Sequence, residues 1–251
     1  MKKRFFVLAA AVLLLSVSLI GCGQKITAKQ SELQDFREIE NNKGFLIKEK
    51  KLNYGEEDLV IITAENKNEA AKSILLIVTY KNEDGSQIEK ENVMIEGVAP
   101  GDTETLLLRP GFAFAQHSYS MITDDYKGTA KKSVEAIKFG DLTFTQTTRY
   151  SDTLAWDNDL TAFPTLMGKI EISNTEHVTY NVAATVILID GNGEVYGVYS
   201  SSAFMPPDAW GGTIDFVVYQ PLEGEFLWPR ELNENASYYI IYDAVDESER
   251  S

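Results

Sequence analysis

Catalysis and metal binding need a nucleophile, a base or a set of ligands, and this 251-residue chain offers few. Its one thiol is Cys22. A single cysteine excludes both a disulfide framework and a cysteine-rich zinc site. The two histidines are His117, in Ala-Gln-His-Ser-Tyr, and His177, in Asn-Thr-Glu-His-Val. Both read as connecting segments, and neither lies near a Gly-x-Ser-x-Gly elbow, so nucleophilic catalysis finds little support. Glycoside hydrolysis needs only two carboxylates. With 38 acidic residues a suitably spaced pair arises by accident, so a carboxylate hydrolase is the least favoured reading. The chain is expected not to be an enzyme and to need no cofactor.

Oxygen ligands and aromatic rings are more plentiful. Asp152, Asp157 and Asp159 share one segment, and Asp124-Asp125 stand in another. Calcium takes oxygen ligands from such loops, which makes the trio candidate calcium ligands, although acidic loops also serve solubility. Asp190-Gly191-Asn192-Gly193-Glu194 opens like a calcium loop but has Val195 sixth and Ser201 twelfth, where glycine and a bidentate glutamate belong. A hairpin turn accounts for it. Trp156, Trp210 and Trp228 each lie beside turn residues. Rings so placed can stack on sugars or anchor a protein partner, or fold back to close their own core. Trp210, between Pro206-Pro207 and Gly211-Gly212, is the best candidate for exposure.

The N-terminus has the form of an export signal. Lys2, Lys3 and Arg4 precede an uncharged apolar run from Phe5 to Leu19. As a helix that run measures about 22 Å, short of the roughly 30 Å hydrocarbon core, and the shape is that of a secretory leader. It ends in Leu19-Ile20-Gly21-Cys22-Gly23, which resembles the lipobox of bacterial lipoproteins. The resemblance implies that residues 1–21 are a signal peptide cut between Gly21 and Cys22. It also implies that the Cys22 thiol carries a diacylglyceryl group and that the mature chain is extracytoplasmic. The lipid would hold it on the bacterial cell membrane, or on an outer membrane where one exists. Two acyl chains hold firmly where one holds marginally. Loss of Lys2, Lys3 and Arg4 leaves 20 cations against 38 acids, a net −18 in place of −15. So acidic a chain is repelled by anionic lipid, and it lacks the basic stripe that nucleic acid requires.

These residues must be held by a folded body, and 44% hydrophobic with 24% charged residues is globular composition. Residues 22–44 read as a polar tether. Within it Leu33, Phe36 and Ile39 recur every third residue between Ser31 as N-cap and Gly44 as stop, which predicts one short helix. Beyond Phe45 the chain breaks into short runs, many alternating apolar and polar, separated by turn residues. No long helical period intervenes, and the fold class is all-β.

A repeat is visible inside it. Asn66 precedes Gly85 by nineteen residues, and Asn174 precedes Gly193 by the same interval. Between them lie alternating strands carrying Ile74, Leu76, Val78 and Tyr80, then Val182, Ala184, Val186 and Leu188. Asn82-Glu83-Asp84-Gly85 and Asp190-Gly191-Asn192-Gly193 both place Asn or Asp first and Gly fourth in the turn. Pro100-Gly101-Asp102 and Pro206-Pro207-Asp208 follow in order. Four matches imply duplication into two tandem immunoglobulin-like β-sandwiches, 45–149 and 165–251, joined by a linker at 150–164. Leu142–Thr148 could end the first or begin the second. Val78-Thr79-Tyr80-Lys81-Asn82 and Val186-Ile187-Leu188-Ile189-Asp190 resemble the motif of the FxLYD-type modules of bacterial surface lipoproteins. That resemblance implies an extracytoplasmic binding or spacer module. The expected partners are the membrane, through Cys22, and an envelope protein or cell-wall component; the alternative is a carbohydrate-binding module using the three tryptophans.

Overall fold

The computed structural model describes residues 27–32, 36–130, 134–151, 161–209, 211–219, 232 and 235–247. Among them the fold is all-β, with fourteen strands and no α-helix. The strands are β1 (Thr27–Gln30), β2 (Arg37–Asn42), β3 (Phe45–Tyr54), β4 (Glu57–Asn66), β5 (Lys72–Lys81), β6 (Gln87–Val98) and β7 (Thr103–Leu108). They continue as β8 (Gln116–Asp125), β9 (Ile137–Ser151), β10 (Thr161–Asn174), β11 (Tyr180–Ile189), β12 (Val195–Met205), β13 (Gly212–Tyr219) and β14 (Ser237–Asp246). Three sheets result, ordered β6-β5-β8, β2-β3-β4-β7 and β12-β11-β14-β1-β9-β10-β13.

Alternation sets the layers. Phe45 and Ile47 of β3 with Val60, Ile62 and Ala64 of β4 face Ile74, Leu76, Val78 and Tyr80 of β5 across the first sandwich core. A second core fills the seven-stranded sheet, from Leu142 and Phe144 of β9 to Val182 through Leu188 of β11 and Tyr238 of β14. A third cluster joins the two groups of strands. It contains Leu52, Leu59 and Ile61 on the outer face of the four-stranded sheet and Ile187, Ile189 and Tyr239 on the outer face of the other. Phe36 closes it, its ring edge-on to Tyr239 at 5.8 Å between centroids. Leu59-Val60-Ile61-Ile62 and Val186-Ile187-Leu188-Ile189 are therefore unbroken apolar runs because both faces of β4 and β11 are covered.

The paired turn motifs adopt one geometry. Asn66 Nδ2 donates to the carbonyls four and 32 residues on, Ala70 and Val98, while its Oδ1 accepts from the N–H of Asn68. Asn174 does the same with Val178, Pro206 and Glu176, at identical separations. Asn82 and Asp190 each accept from the glycine N–H three residues on, and Gly85 and Gly193 take φ of 81° and 88°. Gly101 has φ of 77°, and its counterpart is Asp208 at 52°, so the second turn matches as Pro207-Asp208-Ala209, one residue later than the expected alignment.

Two expectations need correction. Ser31 to Gly44 is not a helix among its described residues: Arg37–Asn42 is β2, paired antiparallel with β3. Lys43 and Gly44, with φ of 50° and 76°, form the two-residue turn between them, as a primed hairpin requires. A Cβ on Gly44 would also lie 2.2 Å from the Asn68 side chain. The apolar residues of this segment do rest on the body: Phe36 is buried, and Ile39 packs against the first core. The second correction concerns 150–164. β9 reaches Ser151, which pairs with Thr161 of β10, so residues 150–151 and 161–164 are strand within one sheet, and 152–160 lie outside the described residues. Leu142–Thr148 accordingly lies in β9 with the second group of strands.

β1 supplies the least expected feature. Thr27 and Ala28 pair antiparallel with β9, then Lys29 and Gln30 pair parallel with β14. Four residues thus bridge two parts of the seven-stranded sheet, and Ala28 is fully buried in its core. Strands β2–β8 form an insertion between β1 and β9, tied at both ends.

Candidate binding cleft between the stacked sheets

Two places in the described structure could bear on function. One is a buried charged cluster. Glu49 points inward from β3 and is 3% exposed. His117 Nε2 lies 2.6 Å from its Oε2, Tyr119 donates its hydroxyl to the same oxygen at 2.6 Å, and Arg37 from β2 pairs with Oε1. Burial alone would raise the Glu49 carboxyl, but the hydrogen bonds from His117, Tyr119 and Arg37 outweigh it and hold it at about 2. Burial and the bond to Glu49 push the Tyr119 hydroxyl far above its ordinary range. Beside it Lys51 pairs with Asp58 at 2.8 Å and caps the Phe114 carbonyl at 2.5 Å, while Asp58 accepts the Phe114 N–H at 2.8 Å.

His117 therefore stands on β8 with a side chain 6% exposed, not in a surface connection. An acid and a base at hydrogen-bond distance resemble half of a triad. Here every oxygen of Glu49 is engaged, and Glu49, His117 and Tyr119 line none of the clefts described below. The cluster ties β3 of one sheet to β8 of the sheet opposite. His177 is the reverse case, 90% exposed and 2.5 Å from Asp208 in a turn.

The second place is where the stacked sheets part. Along the outer face of the four-stranded sheet, Leu59 and Ile61 give way to Thr63 and Glu65, paired with Thr105 and Thr103 of β7 and with Lys48 and Leu46 of β3. On the facing sheet, Tyr239 and Ile241 give way along the same face of β14 to Asp243. Apolar side chains close one end of the interface and polar ones leave the other open. Two adjoining clefts of about 540 and 810 Å³ occupy this wedge, sharing Gln30, Ser31 and Thr103. Their walls carry Glu32, Glu65, Glu104, Asp243 and Asp246 against one cation, Lys48. Hydroxyls of Ser31, Thr63, Thr103, Thr105, Thr129, Tyr180 and Tyr242 share the rest with apolar side chains, among them Leu46, Val134, Ile240, Ile241 and Val245. Tyr242 donates to the Val134 carbonyl at 3.1 Å, and burial raises its hydroxyl above the usual range. Such a surface favours a cationic or hydroxylated ligand over an anionic one.

No family model and no curated protein matches the chain. What it binds must therefore be argued from its own residues.

Gly21 and Cys22, Trp156, Trp210 and Trp228, and Asp152, Asp157 and Asp159 lie outside the described residues. Among the described residues no group of three or more His, Cys, Asp or Glu side chains could hold a metal. Asp125 is paired with Lys72. Asp190 accepts from the N–H groups of Asn192 and Glu194, as the hairpin reading requires. The cleft was not anticipated. Its one advance sign was the outward face of β4, which changes from Leu59 and Ile61 to Thr63 and Glu65 along a single strand.

Proposed function

We propose that the chain is a lipid-anchored extracytoplasmic lipoprotein of the bacterial envelope, a non-catalytic module that binds an envelope protein or cell-wall component in the wedge between its stacked sheets. The observation that carries this is the position of the cleft relative to the candidate anchor. Cys22 precedes β1 by five residues, and β1 enters the seven-stranded sheet at Thr27. The cleft begins at the other end of β1, at Gln30 and Ser31, and follows the C-terminal half of β14, which runs parallel to β1. An anchor at Cys22 puts the membrane on the Thr27 side and leaves the opening on the far side. The repeated Asn66 and Asn174 networks support descent of the two halves from one sandwich module.

The test is site-specific photo-crosslinking in intact cells. A photoreactive residue at Thr105, on the cleft wall, is expected to capture a discrete envelope component that the same residue at Glu83, in the exposed β5–β6 turn, does not. Equal capture at both positions, or none at Thr105, overturns the cleft as the binding surface.

A further inference from the structure

The anchor reading just given has a geometric consequence for the β9–β10 hairpin. β9 runs antiparallel to β1, with Thr27 opposite Thr143. Residues of β9 beyond Thr143 therefore travel back toward the side on which Cys22 lies. They continue to Ser151, paired with Thr161. Beyond Thr143 the described partner of β9 is β10 alone, and β13 leaves β10 at Leu166. What remains is a two-stranded arm.

Lengths decide where it ends. From Thr143 to Ser151 is eight residues, about 26 Å of strand. From Thr27 back to Cys22 is five residues, at most about 17 Å fully extended. With β1 upright on the membrane, the arm would pass the lipidated residue by about 9 Å. Only a tilt of about 50° or more would lift it clear. Composition agrees. Phe144–Ser151 and Thr161–Met167 contain no acidic residue and one cation, Arg149, in a chain with 38 acids.

We propose that the β9–β10 arm is a second membrane contact, resting on the headgroup layer beside lipidated Cys22 and fixing the tilt of the body above it. This rests on the lipid-anchor reading, and the two fail separately. Because Cys22 is the only cysteine and is acylated, an added cysteine is the one free thiol. Full-length protein acylated in cells, carrying Thr161→Cys, Thr147→Cys or His177→Cys, is labelled with an environment-sensitive fluorophore. It is then reconstituted into phosphatidylcholine vesicles containing headgroup spin-labelled lipid. His177 lies beyond the opposite end of the sheet, where β11 starts against Asp246. Quenching at 161 and 147 is expected to exceed that at 177 at least twofold. Equal quenching at all three sites in protein that floats with the vesicles overturns the arm contact and leaves the anchor standing. Protein that does not float overturns both.

Discussion

Glu49→Gln keeps the shape of the buried cluster and removes its charge. In the native protein Glu49 accepts from His117 and Tyr119 at 2.6 Å and pairs with Arg37. Its carboxyl is held at about 2 against an ordinary 4.5. That gap corresponds to about 3 kcal/mol at 1.36 kcal/mol per unit. The Arg37 side chain is 72% exposed, and solvent screening on that side reduces the figure to about 2 kcal/mol. The sign follows from the direction of the shift. A depressed folded value contributes stability above about 4.5, and the contribution fades as pH falls from there toward 2. Urea unfolding of residues 23–251 at pH 7, 5, 3 and 2 reads it through intrinsic fluorescence. Glu49→Gln should be less stable by about 2–3 kcal/mol at pH 7. The difference should narrow steadily below pH 4.5 and nearly vanish at pH 2. A difference that stays constant across the range would refute the reasoning, because the charge would then carry none of the stability.

The matched turns make a paired prediction. Asn66→Ala and Asn174→Ala each remove the side-chain partner of two carbonyls and one N–H in buried or partly buried surroundings, a loss of about 3 kcal/mol apiece by urea unfolding; a loss at one site only would break the equivalence. At the interface between the two groups of strands, Ile61→Ala and Ile187→Ala remove fully buried side chains of one cluster, and each should cost about 2–4 kcal/mol. A double-mutant cycle should show coupling of at least about 0.5 kcal/mol, whereas strict additivity would mean that the two faces do not sense each other.

Much of this fold could be read from residues in order. Where partners are near in sequence and turns have distinctive chemistry, local rules suffice. Asn82 to Gly85 and Asp190 to Gly193 announce hairpins, and the strands they join alternate cleanly. Failures came where the deciding partner is remote or the local pattern is ambiguous. Phe36 and Ile39 stand three apart, a helical spacing, yet one packs in the inter-sheet cluster and the other in the first core while the chain between them runs as a strand. β1 is four residues long, and its partners lie more than 100 residues away, so neither pattern nor turn could reveal it. The cleft was hidden for the same reason, since it exists only between faces of β4, β7 and β14 that the third cluster brings together. His117 looked like a loop residue because the polar Gln116 and Ser118 beside it conceal a strand whose first inward positions, His117 and Tyr119, themselves carry polar groups before Met121 enters the core.

Intact mass spectrometry of the protein purified from membranes tests the central claim most directly. The account predicts a chain beginning at Cys22, without residues 1–21, with a diacylglyceryl mass on its first residue and all fourteen strands retained. A chain still beginning at Met1, or an unmodified Cys22, would contradict it.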